Sequence, residues 1–210
     1  MKDHQQYFSE LLGRTAKAYE SSDVKSRNLF YSICSTPIYQ NSNLILGFNW
    51  GAGERQDYEP QSKMETKTFT QLDLGSLKRT LKFFHKYLPN ENQDEFVQSN
   101  LCFFRSKKEH DINLGDLKLS FPLFDSFVEY LQPKTIVAFS ARIKDYFVNQ
   151  NKLTQINEMN ISSGKKKLKT TKAILNLRWN IVPIYFLPHP NYPITSEARI
   201  EAWEHCFGKK

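Results

Sequence analysis

The sequence predicts an α/β fold, a three-layer α/β/α sandwich around a central, mostly parallel sheet of four strands. Three observations lead there. Short apolar runs at 44–46, 96–104, 135–139 and 181–187 have the length and β-favouring content of strands. Amphipathic stretches with helical spacing separate them. The last run, IVPIYFL, is apolar throughout, as a strand covered on both faces should be.

Taken in order, residues 3–20 predict a helix with Tyr7, Phe8, Leu11 and Leu12 on its apolar side. Residues 21–42 read as irregular, and the turn-forming Asn41-Ser42-Asn43 precedes the first strand. That strand is expected to break at GFNWGAG, residues 47–53. Residues 54–74 read as a long loop, and 77–88 as an amphipathic helix ended by Pro89. The second strand is expected to run out at Arg105-Ser106, with KKEHD following as loop. A helix over 121–131 starts with Pro122 and stops before Pro133. Ser140 can cap a helix over 141–149. Residues 151–169 read as a flexible insertion, and 173–177 as an extra strand turning back at Trp179-Asn180 into the fourth. A final helix over 197–207 follows Thr195 or Ser196 as its cap.

A chain of 210 residues can bury a substantial core and suits one domain over 1–210, with its core at about 40–207 and a basic insertion at 151–172. No apolar run is long enough to span a bilayer, and the N-terminus MKDHQQYF has no signal-peptide core. The expectation is a soluble, intracellular, cytoplasmic monomer. Cys34, Cys102 and Cys206 are widely spaced with no CxxC, which argues against zinc, an iron–sulfur cluster or disulfides and for buried thiols. No P-loop, GxGxxG or serine nucleophile elbow is present, so neither a nucleotide cofactor nor a metal is expected.

Net charge is +7 and unevenly distributed. Between Glu158 and Glu197 there is no acidic residue, while Lys165, Lys166, Lys167, Lys169, Lys172 and Arg178 contribute +6. The other 23 basic and 22 acidic residues nearly cancel. A lysine run is commonly a solvated face; beside a candidate site it also suits a polyanion.

Ligands of open α/β sheets bind at the carboxyl ends of strands. Asn49 ends the first strand among glycines, Asn100 and then Arg105 stand in the second, and His189 follows the fourth on the stiff Pro188-His189-Pro190 turn. GFNWG, SNLCFFR and PHPNYPIT, each at a strand end and in this order, resemble the uracil-DNA glycosylase superfamily across roughly residues 40–205. That family has a GxNPG or GxDP motif, a strand asparagine that reads the base, and an HPSP-type motif. Asparagine in the first motif is closest to the single-strand-selective and mismatch-type branches. The chain lacks the four cysteines of the iron–sulfur branch, and it departs from the pattern with Trp50 for the first proline and Asn191 for the serine.

The resemblance implies hydrolysis of the N-glycosidic bond of uracil, or another deaminated base, in single- or double-stranded DNA without a cofactor. The nucleotide must be flipped out of the stack, at a cost of a few kcal/mol. Asn49 would hold the attacking water, and His189 would donate to the leaving base. Asn100 would read the N3–H and O4 edge with its paired donor and acceptor. Gly47, Phe48 and Trp50 would line the base pocket, with Tyr58 stacking on the base and Phe69 or Phe103 as other candidates. Asn191, Tyr192 and Ile194 would lie in the loop pushed into the DNA groove. Lys165, Lys166, Lys167 and Lys169 would hold phosphates, and Arg105 would assist the pocket. Two other readings stand beside this one: a non-catalytic nucleic-acid- or nucleotide-binding module on the same fold, and an unrelated flavodoxin-like binding domain.

Overall fold

A computed structural model describes residues 3–23, 27, 30–51, 59–73, 75–106, 108–178 and 180–209. Its apolar runs pair into one α/β sheet of six strands, in the order β2-β1-β3-β6-β5-β4. These strands are β1 (Asn43–Gly51), β2 (Val97–Ser106), β3 (Thr135–Ala138), β4 (Leu153–Ser163), β5 (Lys166–Asn176) and β6 (Ile181–Phe186). The first four in spatial order run parallel, and β5 and β4 continue the sheet antiparallel.

The count of four strands is therefore corrected to six. The stretch expected to be a flexible insertion is a hairpin, β4 and β5, turning at Gly164 with φ +62°. The expected short strand at 173–177 is only the end of β5. Polar residues obscured the hairpin because most β4 side chains face solvent.

Two further boundaries move. β1 does not break at Gly47 but continues to Gly51, because β2 pairs with it through Arg105 and Ser106 across a bulge at Asn49/Trp50. The helix expected over 121–131 starts seven residues earlier, at Leu114, as Asn113 Oδ1 accepts from Asp116 N–H and the Asp116 carboxylate accepts from Asn113 N–H.

Among the described residues five helices cover the sheet: α1 (His4–Glu20), α2 (Leu81–Tyr87), α3 (Leu114–Leu131), α4 (Ala141–Asn149) and α5 (Ser196–Phe207). A 3₁₀ turn, Gly75–Thr80, leads into α2, where an unbroken helix from 77 was expected. Ser140 caps α4 and Thr195 caps α5. Strand alternation sends Leu44, Leu46, Ile136 and Ala138 into one core with residues of α1, α3 and α4. Ile45 and Val137 enter the other with residues of α2 and α5, including the fully buried Trp203.

The outer edge of β2 is covered. Residues 30–35 run beside it, with Ser32 N–H bonded to Phe103 O, Ser35 N–H to Gln98 O, and Arg105 N–H to Phe30 O. Pro183 is tolerated in β6 because pairing with β3 starts only at Ile184. All three cysteines are free and buried, and burial pushes the Cys34 and Cys102 thiols up to about 12. Among the described residues no helix is long and apolar enough to cross a membrane.

Candidate functional site

Leu46, Ala138 and Phe186 lie abreast on β1, β3 and β6. The bonds Phe139 N–H to Leu46 O and Leu187 N–H to Ala138 O carry this register toward the carboxyl edge. Three residues past that row stand Asn49 on β1 and His189 beyond β6. Asn100 pairs with Gly47 on the neighbouring β2. The three polar residues thus share one edge of the parallel strands, the two carboxamides side by side and the imidazole two strands away, about 10 Å at ordinary strand spacing.

Gly47 is required by Asn100. A Cβ at position 47 would lie 2.0 Å from Asn100 Oδ1, inside any permissible contact. The Asn100 side chain rests where a side chain at 47 would be, and it is only 5 % exposed. Among the described residues its carboxamide has no hydrogen-bond partner. Its amide atoms are not among the fully buried polar atoms left without a partner, so the small exposed part of the side chain keeps them in reach of water or a ligand.

Asn49 is half-buried, and its Nδ2 donates to Ser106 Oγ at 2.6 Å. Ser106 Oγ in turn donates to Lys108 O at 2.7 Å. The relay turns Nδ2 toward Ser106 on β2. Phe48, the residue between, alternates to the opposite face. It is 4 % exposed in the α3/α4 core, with the Arg142 guanidinium 4.0 Å from its ring centre. Its side chain is therefore part of the core, and only its backbone remains for a base pocket.

His189 is exposed at a cleft of about 480 Å³ whose walls include Phe139, Ser140, Lys144, Lys167 and Tyr192. Its Nδ1 accepts from Asn191 N–H at 3.1 Å, which leaves Nε2 as the protonated nitrogen of the neutral ring. Partial burial in the cleft lowers its pKa from the ordinary value; the Arg199 charge acts the same way and Glu109 opposes both. Glu109 faces this cleft, held by Ser140 Oγ at 2.8 Å. Asn49 and Asn100 do not line the cleft.

The loop carrying His189 is braced. Its carbonyl accepts from Tyr192 N–H at 2.8 Å, and Arg199 donates to the carbonyls of His189 and Tyr192 at 3.4 and 2.9 Å. Lys166 Nζ donates to Pro193 O at 3.2 Å and lies 5.6 Å from the Tyr192 ring centre. Asn191 is exposed, and Tyr192 is 43 % exposed.

The lysines of the hairpin differ from one another. Lys165 lies in its turn and Lys167 on the cleft wall, both exposed. Lys169 is paired with Glu158 at 3.0 Å, and Glu158 also binds Lys144 at 2.5 Å. Those two lysines hold the Glu158 carboxyl well below its usual range, at about 2.

Two stacking candidates are corrected. Phe69 is fully buried against Phe84 and Phe96, and Phe103 is fully buried against Phe127; both are core. Tyr58 lies outside the described residues, as does the side chain of Trp50, whose backbone pairs with Arg105 near the end of β2. Ser106, Glu109 and Arg199 join the site without a sequence signal that names them. Ser106 and Glu109 carry no motif, while Arg199 follows the histidine motif by about one helical turn, as the fourth residue of α5. Comparison with known proteins adds no relative: no protein-family model matches the chain, and no curated protein matches it.

Proposed function

We propose that this protein is a DNA base-excision glycosylase that hydrolyses the N-glycosidic bond of uracil or another deaminated base, on a uracil-DNA-glycosylase-like version of the α/β fold. The observation carrying this reading is the Asn100 carboxamide, packed against Gly47 with no hydrogen-bond partner among the described residues and its polar atoms not sealed from solvent. A buried amide donor and acceptor, side by side, match the N3–H and O4 edge of uracil.

His189 supports the same reading. Its Nδ1 is occupied by Asn191 N–H and its pKa is lowered, so the ring at neutral pH is neutral with Nε2–H as donor. Such a donor, fixed before reaction, stabilises negative charge as it develops on the carbonyl oxygen of the departing base. Asn49, oriented by Ser106, would direct Oδ1 to the water that attacks the sugar carbon. A carboxamide takes no proton at neutral pH, so attack would follow substantial departure of the base. DNA is the partner, held through its phosphates by the hairpin lysines; no cofactor enters the scheme.

Oligonucleotides carrying one uracil, hypoxanthine or xanthine, incubated with the protein and then cleaved by alkali at abasic sites, test the proposal. Strand scission at one of these bases is expected. Binding without scission at any of them would replace the enzyme by the second reading, a non-catalytic nucleic-acid-binding module. Trp50, where the glycosylase motif has proline, favours that alternative.

A further inference from the structure

The chain has a second basic surface, and it meets the hairpin lysines at the His189 loop. A groove of about 400 Å³ runs between the 3₁₀ turn with α2 and the start of α5. Lys78, Arg79, Lys82 and Arg199 line it with Phe83 and Ile194, and no carboxylate does. Among the described residues none of these four cations takes part in an ion pair. Arg199 lies near enough to Arg79 for their repulsion, after burial, to lower the Arg199 pKa. Like charges gathered without a counter-charge are what a bound anion relieves.

The neighbourhood gives the anion its class. Ile194 forms part of the groove wall and belongs to the loop that carries His189. Arg199 reaches from the groove to the carbonyls of His189 and Tyr192. From the hairpin, Lys166 contacts the same loop at Pro193. A polyanion crossing the loop would meet cations on leaving either surface, which a single small anion would not need.

We infer that this groove takes backbone phosphates of a nucleic-acid strand whose nucleotide enters beside His189; the identity of that ligand rests on the glycosylase reading. Lys78, Arg79 and Lys82 are exposed, so their replacement leaves the core intact.

The test compares wild type with Lys78→Gln/Arg79→Gln/Lys82→Gln in binding a labelled single-stranded oligonucleotide with one uracil, across a salt series. Each phosphate contact on a single strand contributes about 0.7 to the slope of log affinity against log salt, so the variant's slope should be shallower by about 2. An unchanged slope overturns the inference. So does a variant that loses affinity for inorganic pyrophosphate while its oligonucleotide slope is unchanged, which would make the groove a site for a free anion. If the triple variant melts early, Lys78→Gln and Lys82→Gln singly decide, each expected to lower the slope by about 0.7. Excision is read separately at saturating oligonucleotide. A slope difference without excision by wild type removes the glycosylase reading and leaves the groove standing. Excision with an unchanged slope does the reverse, and wild type that binds no oligonucleotide overturns both.

Discussion

Asn100 occupies the space that a side chain at Gly47 would need: a Cβ there would approach Asn100 Oδ1 to 2.0 Å. Because Oδ1 belongs to a side chain buried to 5 % exposure, it has little room to retreat. Gly47→Ala should therefore destabilise the fold by about 1–3 kcal/mol, as overpacking does. It should also displace the amide, lowering excision more than stability alone explains. Thermal melting and single-turnover excision on the same preparation read both effects. Wild-type melting together with wild-type excision would show that the close approach is not needed.

His189→Ala should reduce the single-turnover rate by about 100- to 1,000-fold, the loss typical of one oxyanion donor. Oligonucleotide affinity should change little, since the donor acts as charge develops. The pH dependence follows from the lowered pKa. Above it the ring is neutral with Nδ1 engaged by Asn191 N–H, and below it the ring is charged and that acceptor is lost. The rate should thus hold through neutral pH and change only below the ordinary histidine range. A rate and an affinity that fall together would make His189 a phosphate contact or a structural residue.

Ser106→Ala removes the acceptor that orients Asn49 Nδ2. If Asn49 directs the water, kcat should fall about 10-fold with KM unchanged, because the loss is in orientation of the attacking group. Ser106→Thr retains the hydroxyl and should restore most of the rate. Equal loss in both variants would assign Ser106 to packing alone.

Glu158 links the hairpin to α4 through Lys144 and Lys169. Its folded pKa of about 2 lies below the ordinary 4.5. The stabilisation is therefore present above pH 4.5 and is lost as pH falls from there toward 2. Glu158→Gln should cost about 1 kcal/mol at neutral pH, a modest figure because the partners are solvent-screened. The difference in melting between wild type and variant should vanish toward pH 2. A difference that persists there would mean that Glu158 acts by packing rather than charge.

Much of this organisation is legible in the sequence where its cause is local. Ser140 and Thr195 begin α4 and α5 because each cap sits beside the helix it starts. Asn49, Asn100 and His189 stand out because they interrupt or follow apolar runs that only a covered sheet would use. The hairpin is not legible in the composition because Lys166 to Lys169 form a strand through pairing with residues 160–163, while their composition resembles a solvated loop. Helix α3 is less legible at its start because Pro122, a common opening residue, lies inside it while the capping pair Asn113 and Asp116 opens it upstream. Ser106 and Arg199 acquire their roles only from partners brought up by tertiary pairing, which no spacing along the chain records.

The two borders of the sheet are not equivalent. β2 is shielded by residues 30–35, whereas β4, last in the order, has no strand beyond it among the described residues. An uncovered border is a template for pairing with another chain and a hazard for self-association. Here the register slips between Thr154 and Asn157, and Gln155 takes φ +50°, so the row of pairing groups is interrupted near its start. Glu158, tied to two lysines, puts charge into the part that follows. The same hairpin that carries cations to the His189 loop thus ends the sheet with an irregular, charged margin that discourages a neighbouring copy from extending it.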